Sequence, residues 1–153
     1  MRRDKAIKYF KLAKYQAELL SKDPCKKVGS LFLRPDTYEI LTLGFNGMPR
    51  GIDETIIERW QKPIKYSYIE HSERNGIYNA CRSGISLKDS ICIVTFFPCT
   101  DCTRALIQVG VKTLVSVEPS KNSIKWKDEH IVSLEMLNEV NMELIFLTDE
   151  EVL

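Results

Sequence analysis

The sequence predicts a three-layer α/β/α sandwich around a mixed five-stranded sheet. Short apolar, β-prone segments alternate with helical patterns from residue 90 onward, and such strand–helix–strand units imply parallel neighbours with right-handed crossovers. The first two apolar segments are separated only by a short turn, which indicates an antiparallel hairpin. At 153 residues, the chain is expected to form a single domain spanning 1–153 with a sizeable core.

The first half of the chain predicts a helix followed by a hairpin. The helix covers 4–21, with Asp4 as its N-cap and an apolar stripe at intervals of four and three formed by Ala6, Phe10, Ala13, Ala17 and Leu20. Asp23-Pro24 ends it. Strands are predicted over 28–34 and 39–45, on either side of a turn at Pro35-Asp36.

A longer connection follows the hairpin. Residues 46–51 contain two glycines and a proline, which predicts a loop. In residues 52–68, apolar side chains suggest one or two helical turns that Lys62-Pro63 interrupts. We expect an ordered excursion over the functional site, because structureless loops of this length are unusual in compact domains.

The second half predicts alternating helices and strands. Helices are expected over 71–83, 99–109 and 130–140, with Gly84 and Gly110 ending the first two. Strands are expected over 90–96, 111–117 and 142–147, with a polar loop over 118–127 and a frayed acidic tail over 148–153. The side chains expected to face the core are Ile77, Ala80 and Cys81 in the first helix, and Ile131, Leu134, Leu137 and Val140 in the last.

Two short motifs, His71-Ser72-Glu73 and Pro98-Cys99-Thr100-Asp101-Cys102, predict a metal site. His71, Cys99 and Cys102 are three ligand types that zinc prefers, and three protein ligands leave a fourth tetrahedral position open for catalysis. Two residues apart in mid-helix, His71 and Glu73 would point about 200° apart, so they can converge only at a helix N-terminus. Both motifs are therefore predicted to begin helices, where the dipole also favours thiolates.

Composition restricts the partners. The formal net charge is +1, which argues against a nucleic-acid partner, and no apolar segment is long enough to cross a bilayer. The N-terminal sequence lacks an apolar signal-peptide core. Five cysteines, two of them assigned to metal, indicate a reducing, cytoplasmic location. The other three, with His130, are expected to be core residues rather than ligands of a second, structural zinc.

The two motifs together match the H-x-E and P-C-x-x-C signature of zinc-dependent nucleobase deaminases. From about Asp23 to Leu147 the chain resembles the cytidine deaminase-like superfamily, and most closely the deoxycytidylate (dCMP) deaminase family. The segments that carry the resemblance are Asp23-Pro24 with Val28-Gly29, Gly44-Phe45-Asn46-Gly47-Met48-Pro49, His71-Ser72-Glu73-Arg74-Asn75, and Phe97-Pro98-Cys99-Thr100-Asp101-Cys102. The family usually has alanine where this chain has Ser72.

This resemblance implies hydrolytic conversion of dCMP to dUMP and ammonia in pyrimidine nucleotide metabolism, with one catalytic Zn²⁺ per chain. Glu73 would transfer protons between water and the cytosine ring. Asn46 would hydrogen-bond the sugar, and Val28 and Ser72 would line the base pocket. Lys26 and Lys27 are candidates for binding the phosphate. The resemblance also implies a homo-oligomer, dimer or hexamer, that dCTP and dTTP regulate; Arg50 is the candidate effector residue.

Two other functions remain open at this point. The same zinc chemistry could act on another substrate, such as dCTP, a free base or a tRNA adenosine. Alternatively, the chain could be a non-catalytic zinc- or nucleotide-binding regulatory module. Glu73 argues against the second alternative, because a structural zinc has no use for a spare carboxylate and prefers a fourth protein ligand.

Overall fold

The computed structural model describes residues 1–119 and 126–152. Its longer helices are α1 (Arg3–Leu20), α3 (Ser72–Arg82), α4 (Thr100–Gln108) and α5 (Lys127–Glu139). Its strands are β1 (Gly29–Leu33), β2 (Ile40–Phe45), β3 (Ile91–Val94), β4 (Thr113–Val117) and β5 (Glu143–Leu147). Short helical segments are a 3₁₀ turn (Ile57–Trp60), α2 (Lys65–Tyr68) and α6 (Asp149–Val152).

The five strands form one sheet in the order β2-β1-β3-β4-β5. β1 is antiparallel to both β2 and β3, whereas β3, β4 and β5 are mutually parallel neighbours. The predicted opening hairpin, the parallel second half and the mixed five-stranded sheet are therefore confirmed.

Helices cover both faces of the sheet, as predicted. On one face α1 packs over Leu31, Ile93 and Val115, and Val152 of α6 joins the same apolar cluster. On the other face α3, α4 and α5 pack over Phe32, Cys92, Val94 and Leu114. Successive strand residues alternate between these two clusters because side chains in a strand point to opposite faces.

The ends of α1 differ from prediction. The N-cap residue is Arg2, and Asp4 lies in the first turn, where a carboxylate favours the helix dipole. Ala6, Phe10, Ala13 and Ala17 form the buried stripe as predicted, but Leu20 is 48% exposed at the last turn. Between them, the buried Gln16 donates to the carbonyl of Gly44, 2.7 Å away, and this contact connects α1 to β2.

Further predictions of burial and order are wrong. Cys25, expected in the core, is exposed. Cys81 is exposed because it lies one position, about 100°, past the buried Ala80. In α5 the buried residues are His130, Ser133 and Leu137, whereas Ile131 and Val140 face solvent. Leu134 is partly buried against the core as predicted.

The acidic C-terminal segment, predicted to be frayed, instead forms α6. Val152 is buried on the α1 face, and Arg3 Nε donates to Glu151 Oε1 at 2.6 Å. The carboxylate of Glu151 also accepts from the backbone N–H of Thr148. Of the predicted polar loop over 118–127, residues 120–125 lie outside the described residues, as does Leu153.

Close packing at Gly44 determines where α3 lies. A Cβ added at Gly44 would lie 2.0 Å from the carbonyl oxygen of Ser72 and 2.5 Å from the backbone nitrogen of Gly76. The backbone of β2 therefore contacts the first turns of α3 directly, at a distance that only glycine allows. The N-terminus of α3, which carries both His71 and Glu73, is thereby held against the sheet.

Among the described helices, none combines the length and the apolar character needed to cross a membrane.

Candidate active site

The three predicted metal ligands lie together at two helix starts. His71 is the N-cap residue of α3, Cys99 is the N-cap residue of α4, and Cys102 lies in the first turn of α4. His71 Nδ1 is 3.4 Å from Cys99 Sγ and 3.5 Å from Cys102 Sγ. Both motifs therefore begin helices, as their spacing predicts, and the structure brings their side chains to one point.

The geometry of this His-Cys-Cys cluster fits a tetrahedral zinc ion. Zinc bonds of about 2.0–2.1 Å to nitrogen and about 2.3 Å to sulfur place neighbouring ligand atoms roughly 3.6–3.8 Å apart. The two nitrogen–sulfur distances are close to this value, and all three ligand atoms lie within 4.8 Å of one another. One imidazole and two thiols are also the soft and borderline donors that zinc prefers.

The local electrostatics favour a negative charge on sulfur. Hydrogen bonds with Cys102 and His71 lower the pKa of Cys99 to about 4, while the hydrogen bond with Cys99 and burial raise the pKa of Cys102. The surroundings of Cys99 therefore favour its thiolate form, the form that binds a metal ion. A divalent cation bound there would also deprotonate the second thiol.

Arg74 connects the two helices beside the His-Cys-Cys cluster. Its guanidinium forms an ion pair with Glu70 one turn earlier, and its Nη1 lies 3.4 Å from Asp101 Oδ2 on α4. Because the two ligand-bearing helix starts share this cation, their relative positions are constrained on the solvent side as well as at the sheet.

Glu73 lies beside the cluster with its carboxylate removed from solvent. The residue is 4% exposed, and desolvation raises the pKa of its carboxyl group. The hydroxyl of Ser72, itself fully buried, donates to Glu73 Oε2 at 2.8 Å. A buried glutamate whose proton affinity is increased in this way is suited to accept and return protons near neutral pH.

Glu73 and the His-Cys-Cys cluster open onto one cleft, which we call the Glu73 cleft. It contains about 660 Å³ of empty space, which includes the solvent at its mouth. Its lining combines metal-ligand, polar and aromatic side chains, namely Asp23, Lys26, Val28, Asn46, Lys65, Tyr66, Ile69, His71, Ser72, Glu73, Phe96, Phe97, Cys99 and Trp126.

Asn46 lines the Glu73 cleft, but its amide already makes four hydrogen bonds within the protein. Its Nδ2 donates to Asp23 Oδ2 at 2.9 Å and to the carbonyl of Lys26 at 2.8 Å. Its Oδ1 accepts from Ser21 Oγ at 2.9 Å and from the N–H of Val28 at 2.8 Å. A bond to a sugar would be made in exchange for one of these, so the predicted contact stays a prediction.

The other predicted binding residues separate into two groups. Val28, Ser72 and Lys26 line the Glu73 cleft. Lys27 does not, because its exposed ammonium donates to the carbonyl of Glu18 at 3.0 Å.

Arg50 lines a second cleft and contacts Asn79 Oδ1. The remaining lining of this second cleft is Phe45, Gly47, Met48, Pro49, Glu70, Asn75 and Tyr78.

Sequence reasoning missed a buried ion pair in the wall of the Glu73 cleft. Lys65 Nζ lies 2.6 Å from Asp23 Oδ1, and the two side chains are 7% and 2% exposed. In the sequence, Asp23 lies at the end of the first predicted helix and in a segment that carries the family resemblance, and Lys65 lies in the excursion over 52–68. The pairing joins residues 42 positions apart, so no local pattern reveals it.

Sequence reasoning also missed an aromatic wall that consists of Phe96, Trp126 and His130. The Phe96 ring lies 5.9 Å from Trp126 in an edge-on arrangement, and His130 stacks on Trp126 with ring centroids 6.0 Å apart. Phe96 was assigned to a strand and Trp126 to a loop. A run of apolar residues at a strand end is the only sequence signal that was available, and it does not distinguish a cleft wall from the core.

This mixed sheet, with two helix starts sharing a His-Cys-Cys cluster, defines a cytidine deaminase-like fold. The solved dCMP deaminase of cyanophage S-TIM5 in complex with dCMP and dUMP has the same fold, with a TM-score of 0.75 at 23% identity, covering 96% of this chain and 99% of that chain.

The sequence comparisons identify the family. The chain belongs to the cytidine and deoxycytidylate deaminase family, whose zinc-binding region matches residues 3–118. It is 30% identical to the deoxycytidylate deaminase of Mus musculus over 113 residues, which are 70% of this chain and 61% of the mouse protein. It is 36% identical to a probable deoxycytidylate deaminase of Caenorhabditis elegans over 115 residues, 72% of this chain and 56% of that protein. These matches span about three fifths of the length of the curated relatives.

Proposed function

We propose that this chain is a zinc-dependent hydrolytic deaminase that converts dCMP to dUMP and ammonia. The observation that supports this most directly is the buried carboxylate of Glu73 beside a three-ligand His-Cys-Cys cluster, at a cleft that is open to solvent. Membership of the deaminase family supports the reaction type, and curated relatives named deoxycytidylate deaminases support the substrate.

His71, Cys99 and Cys102 would hold one zinc ion per chain. When bound, zinc lowers the pKa of a coordinated water toward neutrality. We propose that Glu73 moves two protons. It takes one from the attacking water and places it on N3 of the cytosine ring; it then carries the second from the new C4 hydroxyl to the amino nitrogen, so that the C4–N bond breaks and ammonia leaves.

The chain's own residues support this role for Glu73 in two ways. Desolvation raises the pKa of the Glu73 carboxyl group, which increases its affinity for the proton it has to carry. The hydroxyl of Ser72 donates to one carboxylate oxygen, Oε2, which would leave Oε1 directed at the reacting atoms. The buried walls of the cleft would exclude bulk water from the proton transfer.

For substrate binding, we propose that Val28 and the backbone N–H of Ser72 contact the base and that Asn46 lies beside the sugar. All three line the Glu73 cleft. Because the Asn46 amide is fully hydrogen-bonded, its first role would be to shape the loop that receives the sugar.

We propose further that Arg50 binds a triphosphate effector, dCTP or dTTP, in the second cleft. This cleft contains Glu70, which directly precedes the metal ligand His71, and effector binding there would therefore adjoin the active site. Equilibrium binding of dCTP to the Arg50→Ala variant tests this, and undiminished binding would remove Arg50 from the role. Light scattering on the purified protein tests the proposed dimer or hexamer.

All five cysteines are free, which supports a reducing, cytoplasmic location. Localising a tagged protein in its own cells tests this.

A substrate panel tests the proposed function. Purified zinc-loaded protein is incubated with dCMP, dCTP, cytosine, deoxycytidine and a tRNA adenosine substrate, with and without dCTP as effector, and ammonia release is followed. We expect dCMP to give the highest kcat/KM. Preference for another compound would reassign the substrate, and zinc retention without turnover on any of them would instead indicate a regulatory module.

A further inference from the structure

We infer that Lys26 is the residue with which this chain recognises the phosphate of its substrate, and thus selects a nucleotide over a nucleoside. The inference rests on the proposed deamination of a cytosine nucleotide and assigns its specificity to one side chain. The argument combines the position of Lys26, the charge balance of the Glu73 cleft, and the contrast with the neighbouring Lys27.

Lys26 lies on the open side of the Glu73 cleft. Glu73, at 4% exposure, marks the closed end, whereas Lys26 is an exposed residue that lines the same cleft. A nucleotide that presents its base to Glu73 would therefore direct its 5′ substituent toward the solvent side, where Lys26 lies.

The aromatic wall fixes the Lys26 ammonium. Its Nζ lies 3.2 Å from the centroid of the Phe96 ring, and Phe96 itself packs against Trp126. A cation over an aromatic face is attracted by the ring but keeps its hydrogen-bond donors directed away from it. Partial burial of the ammonium against this ring also lowers the pKa of Lys26.

The ion pairs of the cleft leave the Lys26 ammonium available to bind a phosphate. The cleft's other lysine, Lys65, is paired with Asp23 at 2.6 Å. Within residues 1–119 and 126–152, the structure gives Lys26 no carboxylate within 4 Å. A phosphate that enters the cleft can therefore accept a charge-assisted hydrogen bond from the Lys26 ammonium, which no carboxylate of the cleft occupies.

Lys27 is a natural control in the adjacent position. It has the same side chain, but its ammonium donates to the carbonyl of Glu18 and does not line the cleft. Removing either lysine changes the net charge of the protein equally. A difference between the two variants therefore reports local recognition rather than a general electrostatic effect.

The test measures binding and turnover in four proteins: wild type, Lys26→Met, Lys26→Arg and Lys27→Met. Binding is measured calorimetrically with dUMP and deoxyuridine, which the proposed reaction cannot consume. We expect Lys26→Met to weaken dUMP binding about 10- to 100-fold, the range for one charge-assisted hydrogen bond. Deoxyuridine binding should change less than about twofold, and Lys26→Arg should retain the preference for dUMP.

Turnover is measured as kcat/KM for dCMP and deoxycytidine. The ratio of the two should fall about 10- to 100-fold in Lys26→Met, mainly through KM, and stay at the wild-type value in Lys27→Met. An unchanged ratio in Lys26→Met, or equal losses in both variants, overturns the inference while leaving the deaminase intact. A wild-type protein that deaminates neither compound refutes the proposed function itself.

Discussion

The buried ion pair between Asp23 and Lys65 leads to a prediction about both stability and substrate binding. The pair connects the excursion over 52–68 to the segment that carries Lys26, and Asp23 in that segment also accepts a hydrogen bond from Asn46. Removing one partner of a buried pair typically costs about 3–5 kcal/mol, because the remaining charge is left without compensation. The structure indicates that the two partners differ in this cost.

Asp23 accepts hydrogen bonds from further donors, whereas Lys65 has no second side-chain acceptor among the residues that the structure describes. In Lys65→Met, Asp23 still accepts from the Cys25 N–H at 2.8 Å, from Asn46 Nδ2 at 2.9 Å and from the Lys26 N–H at 3.3 Å. We therefore expect a loss of about 2–3 kcal/mol, below the usual range for a broken buried pair. In Asp23→Ala, a buried ammonium and an amide lose their acceptor together, and the expected loss is about 4–5 kcal/mol.

Urea or thermal unfolding measures both losses. For a domain of this size, Lys65→Met should lower Tm by roughly 4–12 °C. Arg34→Met is the matched control, because it breaks an exposed pair with Glu39 whose side chains are 49% and 63% exposed. Its cost should stay below about 1 kcal/mol. A Lys65→Met cost no larger than that of the control, or one that exceeds the cost of Asp23→Ala, would refute the reasoning.

Two further predictions concern the metal ligands and the environment of Glu73. Cys102→Ser should lower zinc affinity at least about 10-fold and reduce thermal stability in zinc-containing buffer, because a thiolate ligand and the folding energy linked to metal binding are lost. Zinc titration in competition with a chelator and a melting curve measure these two effects. Unchanged zinc retention would contradict the prediction. Ser72→Ala should lower kcat about 5- to 10-fold with KM and zinc content unchanged, because the Glu73 carboxylate loses the Ser72 hydroxyl that donates to it at 2.8 Å. Steady-state kinetics check this, and a loss confined to KM would argue against it.

The parts of the fold and site that the sequence predicts correctly are those encoded locally. The hairpin follows from a short turn between two apolar segments, and the helix starts at His71 and Cys99 follow from the spacing of their motifs. The structure brings the His-Cys-Cys cluster and Glu73 together because the segments that carry them are the N-termini of two helices that pack on one sheet.

The wrong predictions depend on packing between distant segments. In α5 the polar side chains of His130 and Ser133 are buried, since contacts with the neighbouring helix and the aromatic wall decide which face points inward. In α6, Val152 is buried against the α1 face and Glu151 pairs with Arg3, 148 positions earlier in the chain. Neither effect appears in the local hydrophobic pattern.

The measurement that tests the central claim most directly compares zinc content and ammonia release in wild type and Glu73→Gln. Glutamine keeps the size of the buried side chain but cannot carry the proton, so zinc should remain near one ion per chain while turnover of dCMP falls at least about 100-fold. If Glu73→Gln retains zinc and still deaminates dCMP at close to the wild-type rate, the assignment of Glu73 as the proton carrier is wrong.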